Sequence, residues 1–258
     1  MAFKDIQYKE PYIPHQSYED RVVAFIDVLG FSAMVEKTST DEKRLQLLTS
    51  ALDCLHNKIW EWEADGVYSS FAFTQFSDSI VISALAESAD SFAMLMQLLL
   101  GTMDLVDGYG ILLRGGIVRG QLIHDDTMLV GPAMVDAYRL ESKMAKYPRI
   151  IIEEELKRRF DDNMEDYIRN YTNLVEVPGF NRIFKKDDDD WYYLDYIQPA
   201  EEYNNELTPE EHLKNLEYLA EKGIKSDDEN VRIKYEWLKK KIDQAVDDKR
   251  KRMVEGLE

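Results

Sequence analysis

Two aspartates could do chemistry together, and the first stands where an ionised carboxylate is hard to keep without a partner. Asp27 lies in Phe25-Ile26-Asp27-Val28-Leu29-Gly30-Phe31, inside an apolar, β-branched run. Burial there penalises the charge unless the group is paired or coordinates a cation. Gly30 follows at once and lets backbone amides come close to a ligand, and the N-terminus of a following helix would favour a phosphate. Asp78 lies in Gln75-Phe76-Ser77-Asp78-Ser79, between two short apolar runs. A turn aspartate alone is commonplace. Taken with Asp27, it offers hard oxygen donors to two divalent cations that keep open positions for phosphate oxygens.

That pairing requires elements that bring the two residues together. Val22–Leu29 reads as a buried strand, bounded by Gly30. From Asp41 the period becomes helical, with Leu45, Leu48, Leu52, Leu55 and Ile59 at spacings of three and four, and an end expected near Asp65-Gly66. Ser70–Phe76 and Ser79–Ser83 read as a hairpin turning at Ser77-Asp78. A second helix is expected over Ser88–Asp107. Ile111–Val118 and Gln121–His124 read as a strand pair broken by Gly115, Gly116 and Gly120, with Met128–Val130 extending the sheet. Pro132 opens a helix to about Lys146, and Pro148 stops it. Arg149–Ile152 reads as a strand, Glu153–Phe160 as a short helix, and Trp191–Ile197 as a last strand. Lys185-Lys186 and Asp187–Asp190 read as a solvated hairpin tip. The order β-α-β-β-α-β is the split βαβ arrangement, an α+β sheet with helices on one face. Its first strand lies centrally, beside the hairpin.

The division expected is an extended lead-in over residues 1–19, a main domain over 20–200, and a charged helical appendage over 201–258. The appendage carries Leu213, Leu216 and Leu219, then Ile233, Trp237 and Ile242. Apolar residues make up 45% of the 258-residue chain, enough for a packed core. With 32 Lys and Arg against 50 Asp and Glu, the net charge is −18, which repels nucleic-acid backbone and anionic lipid. No apolar run approaches the ~20 residues of a membrane span, and Met-Ala-Phe-Lys-Asp lacks the order of a signal peptide. Cys54 is the only cysteine, which excludes an internal disulfide and a multi-cysteine zinc site and suits a reducing, cytoplasmic setting.

The string Ala24–Phe31, the hairpin Phe76-Ser77-Asp78-Ser79 and Leu113-Arg114-Gly115-Gly116-Ile117 resemble the catalytic domain of class III adenylate and guanylate cyclases. Gly131-Pro132-Ala133 and Ala137-Tyr138-Arg139-Leu140-Glu141 resemble its next helix, and the likeness spans about residues 20–197. In detail the chain looks similar to the pyrimidine nucleotide cyclases of bacterial anti-phage signalling, the Pycsar system. Pro148-Arg149-Ile150 and Lys234-Tyr235-Glu236-Trp237-Leu238 add to that likeness. The resemblance implies a ferredoxin-like palm fold working as a head-to-tail homodimer, and two Mn²⁺ or Mg²⁺ ions per site held by Asp27, Asp78 and the Val28 backbone. It implies Arg139 as the transition-state arginine, and Phe31, Thr74 and Arg114 as substrate contacts. It implies attack of the ribose 3′-oxygen on the α-phosphorus, with a separate effector reading the cyclic product.

Two positions depart from purine cyclases. Thr74 stands where a base-reading lysine is found in adenylate cyclases of the mammalian type, and Val135 stands where an asparagine is usual. Losing that lysine argues against ATP without selecting UTP or CTP, which differ at one exocyclic group. The expectation is a uridylate cyclase ahead of a cytidylate cyclase, with a purine cyclase, a non-catalytic nucleotide-binding palm domain and a scaffold as alternatives. Arg139 weighs evenly between its site role and a solvated helix face. Arg114 reads first as a structural partner of a carboxylate, His124 as structural, and Tyr138 as packing.

Overall fold

The structure is a computed structural model that describes residues 17–60, 70–170, 183–198 and 207–255. Most of the expected lead-in segment, and the helix end expected near Asp65-Gly66, lie outside the described residues. The elements are β1 (Glu19–Val28), α1 (Phe31–Thr38), α2 (Glu42–Trp60), β2 (Ala72–Phe76), β3 (Ser79–Leu85), α3 (Ala89–Tyr109), β4 (Leu113–His124) and β5 (Leu129–Val130). They continue as α4 (Pro132–Met144), β6 (Ile150–Ile152), α5 (Glu154–Asn170), β7 (Phe184–Lys186), β8 (Tyr192–Leu194), α6 (Pro209–Ile224) and α7 (Glu229–Glu255).

Sheet order is β2-β3-β1-β4-β6-β8-β7, with β5 paired to β4. The first four strands are the split βαβ unit: β1 runs antiparallel to both β3 and β4, and β2 antiparallel to β3. The apolar run Val22–Ile26 explains the central place of β1, since a strand flanked and covered on both faces must be apolar on both. All five of its residues are buried.

Gly115, Gly116 and Gly120 do not break the sheet, contrary to the sequence expectation. They lie inside one continuous strand, β4. A Cβ on Gly115 would come within 2.7 Å of the Phe25 carbonyl oxygen, and one on Gly116 within 2.9 Å of Leu140. These glycines exist for close approach of backbone and helix.

Register sets the faces. Phe73 lies opposite Ile82, and it meets His56 of α2 edge-on at 4.8 Å, so α2 packs on that face. Gly116 and Phe25 lie opposite each other and point the other way, where Leu140 and Tyr138 of α4 meet them. A helix therefore covers part of the second face as well, beyond the one-sided arrangement expected. The hairpin turns at Ser77, whose φ of 58° is left-handed. Helix α3 ends where Gly110, at φ 64°, donates its N–H back to the Val106 carbonyl.

Among the described residues one helix, α3, is long and apolar enough by length and composition to cross a membrane, and 83% of its apolar window is buried inside the protein. Its burial identifies it as a core helix.

The C-terminal helices pack on each other and on this core. Thr208 and Glu211 form a capping box at the start of α6, with Pro209 in the first turn. Leu216, Ala220, Trp237, Leu238 and Ile242 are buried in the same core as β1 and α3. His212 bridges the Asp107 carboxylate at 2.8 Å and the Tyr196 carbonyl at 2.7 Å. Trp237 stacks on Tyr147 with ring centroids 5.5 Å apart.

The β7–β8 hairpin is where reading and structure part. Asp187 is buried, not solvated. It ion-pairs with Arg149, whose side chain is 0% exposed, and with Lys241 at 2.6 Å, and it accepts a hydrogen bond from Trp237 Nε1 at 2.8 Å. Arg149 also pairs with Asp189.

Candidate active site

Asp27 sits one residue from the end of β1, opposite Ser79 on one side and Arg114 on the other. The next residue, Val28, donates its amide to the carbonyl oxygen of Asp78 at 3.0 Å. A backbone bond thus joins the end of β1 to the hairpin turn, and the two carboxylate-bearing residues meet at one corner of the sheet. Gly30 follows with φ at 77°, a left-handed conformation strained for any side chain, and α1 starts at Phe31. Phe31 is half-buried against the core.

Burial pushes the Asp27 carboxyl above its ordinary range. The Arg114 guanidinium pulls it down, the neighbouring Asp78 pushes it up, and the charge of Lys234 pulls it down. Lys234 belongs to α7, so the C-terminal helix brings a cation within electrostatic reach of β1. Leu219 of α6 stands where a Cβ on Gly110 would come within 3.2 Å, which places the helical pair beside the segment leading into β4.

Arg114 binds Asp27 Oδ2 at 3.0 Å and approaches Glu141 Oε1 at 2.5 Å. The second approach is short but poorly aligned for a hydrogen bond. Glu141 Oε1 and Arg114 Nε both lie buried with no hydrogen-bond partner. Burial also raises the Glu141 carboxyl; Arg114 opposes the shift, while the charges of Asp27 and Asp78 add to it. The site is thus a chain of charge: Asp78, Asp27, Arg114, Glu141. The structural expectation for Arg114, a partner to a carboxylate, matches what it touches.

The donor set fits divalent cations. Two carboxylate-bearing residues meet, the charge of Asp78 disfavouring that of Asp27, and oxygen donors of this kind suit Mg²⁺ or Mn²⁺. Among the described residues, no group of three or more His, Cys, Asp or Glu side chains forms a metal cluster. A bound cation would therefore depend on further oxygens from backbone or ligand.

The other expected residues divide. Thr74 lies on β2 opposite Val81, and its hydroxyl contacts His124 Nε2 at 3.0 Å. Arg139 is exposed on α4 and pairs at 3.4 Å only with Asp136, so it does not join Asp27 within this chain. Val135 and Tyr138 are exposed on the same helix; the Tyr138 ring packs edge-on to Phe25 at 5.5 Å.

Sequence reading missed the buried polar cluster behind Thr74. Arg21 Nε donates to Ser83 Oγ at 2.8 Å, and the same oxygen meets His124 Nδ1 at 2.8 Å. Arg21 and His124 are both buried, and Ser83 is fully so. Burial and the Arg21 charge push the His124 imidazole down to about 4, leaving it neutral at physiological pH. An arginine directly before the apolar run Val22–Ile26 was the available signal, because once buried it must find partners.

No family model matches the chain, and no curated protein matches it. Solved structures resemble it in part. The guanylyl cyclase domain of the RhoGC fusion protein from the aquatic fungus Blastocladiella emersonii is 18% identical with a TM-score of 0.45, over 69% of this chain and 96% of that one. A bacterial light-regulated adenylyl cyclase is 13% identical with a TM-score of 0.45, over 79% of this chain and 100% of that one.

Proposed function

We propose that this chain is a nucleotidyl cyclase whose substrate is a pyrimidine nucleoside triphosphate, UTP ahead of CTP, and whose product is the 3′,5′-cyclic monophosphate with pyrophosphate. The observation that carries the proposal is the joining of Asp27 and Asp78 through the Val28–Asp78 backbone bond at 3.0 Å. The motifs around both aspartates resemble class III cyclases, and this is the corner of the sheet where that chemistry needs paired carboxylates.

In the reaction the ribose 3′-oxygen bonds to the α-phosphorus as the bond to pyrophosphate breaks, and the 3′-hydroxyl proton leaves to solvent. Asp27, Asp78 and the Val28 backbone would hold two Mn²⁺ or Mg²⁺ ions, which neutralise phosphate charge and ease loss of the 3′ proton. Arg114 holds Asp27 in place and, once Asp27 is otherwise compensated, its guanidinium is available to phosphate oxygens. Phe31 and the Gly30 turn form the floor beside the phosphates. Lys234 adds positive potential at the same corner.

Arg139, exposed on α4 and paired with Asp136, would complete the site from a second copy. The exposed apolar side chains Val130, Val135 and Tyr138 around α4 suit a homodimer contact. The product serves as a second messenger for a separate effector in anti-phage defence, in a cytoplasmic setting without membrane or nucleic-acid partners. Incubation with Mn²⁺ and each of the four ribonucleoside triphosphates, with chromatography of the products, tests the reading. Cyclic UMP or cyclic CMP is the expected product. Conversion of ATP or GTP alone would sink the pyrimidine assignment, and conversion of none would sink the enzyme.

A further inference from the structure

We propose that α7 completes the triphosphate site: Lys234 binds the terminal phosphates, those that leave as pyrophosphate, and the site is whole only while α7 stays docked. The proposal rests on the cyclase reading above and adds to it a phosphate ligand from outside the split βαβ unit.

Lys234 is a cation with no carboxylate of its own. It is half-buried, and among the described residues it forms no hydrogen bond or ion pair. Other lysines of the same helix are paired: Lys239 with Glu217 at 2.7 Å, Lys240 with Asp188 at 2.6 Å, and Lys241 with Asp187 at 2.6 Å. The chain carries a net charge of −18, so acidic partners are plentiful and a lysine passed over by them stands out. A half-buried ammonium has given up part of its hydration, and a bound anion would restore what it lost.

The place of Lys234 is fixed by what holds α7. Lys234, Trp237 and Lys241 recur at spacings of three and four, so they share one face of the helix. Two of them converge on Asp187, Trp237 through Nε1 at 2.8 Å and Lys241 through its ammonium. Asp187 pairs in turn with the buried Arg149, whose carbonyl oxygen accepts from the Gly115 N–H at 3.1 Å. Gly115 directly follows Arg114 in β4. The shared face of α7 therefore leads from the β7–β8 hairpin toward the Asp27 corner, with Lys234 about 10 Å along the helix from Lys241. On the α6 side, Tyr235 lies against Gly223, where a Cβ would overlap its ring. That contact sets how closely α7 can sit.

The phosphates it would meet follow from its distance. Lys234 acts on Asp27 less strongly than Arg114 and Asp78 do, and charge interactions weaken with separation, so it stands farther out than either. A substrate with its α-phosphorus at the paired carboxylates carries its β- and γ-phosphates away from them. An ammonium is a point charge with three rotatable donors, which suits oxygens that shift as pyrophosphate departs.

The experiment uses the full chain, with inorganic tripolyphosphate and Mg²⁺ as the probe and isothermal titration calorimetry as the readout. The probe has no base or ribose, so the result does not depend on turnover. Lys234→Met should weaken binding about tenfold, and Lys234→Arg should recover most of it. Lys240→Met removes the same charge from the same helix and should leave the affinity unchanged. Gly223→Ala keeps Lys234 but pushes α7 away from α6, and it should weaken binding as well. Cyclic UMP, which lacks the terminal phosphates, should inhibit Lys234→Met and the unaltered protein alike. Unchanged tripolyphosphate affinity in folded Lys234→Met protein overturns the proposal, and so does an equal loss in Lys240→Met. Unchanged affinity in folded Gly223→Ala protein overturns the dependence on docking. Tripolyphosphate binding through Lys234 without turnover of any of the four triphosphates fells the cyclase reading and the leaving-group role while the phosphate site stands, so the two failures are told apart.

Discussion

The Val28 amide and the Asp78 carbonyl oxygen are joined by a hydrogen bond of 3.0 Å. The bond ties two segments fifty residues apart in sequence, so the two carboxylate-bearing residues are brought together by backbone, while Arg114 holds the Asp27 side chain. Substitution of either carboxylate should leave the corner standing.

Asp27→Asn and Asp78→Asn keep side-chain shape and remove charge. Each is expected to lower cyclic nucleotide formation at least about a hundredfold, because neutralising phosphate is the main task of such a site. Circular dichroism should be unchanged. A folded Asp27→Asn protein with unaltered turnover refutes the two-carboxylate site.

Arg114→Met leaves Asp27 and Glu141 without their shared cation. Breaking a largely buried pair from one side costs about 3 kcal/mol. Both carboxyls are already raised by burial, so their charged forms weigh against folding above their folded pKa values. The deficit should be largest near neutral pH and shrink as pH falls and both groups protonate. Urea unfolding at neutral and acid pH measures it, and an equal deficit at both would contradict the assignment.

His124 supplies the opposite sign. Its folded value is pushed down to about 4 from the ordinary 6.5. Below the ordinary value the unfolded chain takes up a proton that the folded protein refuses. Its stabilising contribution is complete above that value and drains away as pH falls toward 4. Allowing for screening, the loss is on the order of 2 kcal/mol. His124→Gln should flatten this part of the stability–pH curve.

Asp187→Ala strips Arg149 and Lys241 of their common buried carboxylate and should cost about 3–5 kcal/mol. Asp189→Ala removes a partner whose side chain is 41% exposed and should cost less than about 1 kcal/mol. Comparing urea midpoints of the two variants separates the buried from the surface contribution.

Lys234→Met tests whether α7 belongs to the site. It should reduce kcat/KM roughly threefold to tenfold without changing the melting temperature, and added salt should narrow the gap. No change at low salt would place α7 outside the chemistry.

Much of this was legible in the sequence. The split βαβ unit followed from apolar runs and turn residues, and Asp27 declared itself as a charge inside an apolar strand. What stayed hidden depends on register and distance. Thr74 and His124 are fifty positions apart, and nothing in their neighbours reveals that the far end of β4 returns to β2. Asp187 reads as one of four acidic residues in a turn. It is buried because Arg149 arrives from the position just before β6 and Lys241 from α7, and both belong to segments whose local pattern says nothing of it. Glycines in β4 resembled breaks because their use lies in what passes over them.

Arg114 gives the idle protein a plug of its own making. With the guanidinium seated on Asp27, the corner is neither empty nor raw in charge. On the proposed reading, a cation would have to evict a residue before it could settle, and a triphosphate would offer the displaced guanidinium somewhere to go. Entry of cations and entry of nucleotide would then be one exchange, in which neither partner gains much by coming alone.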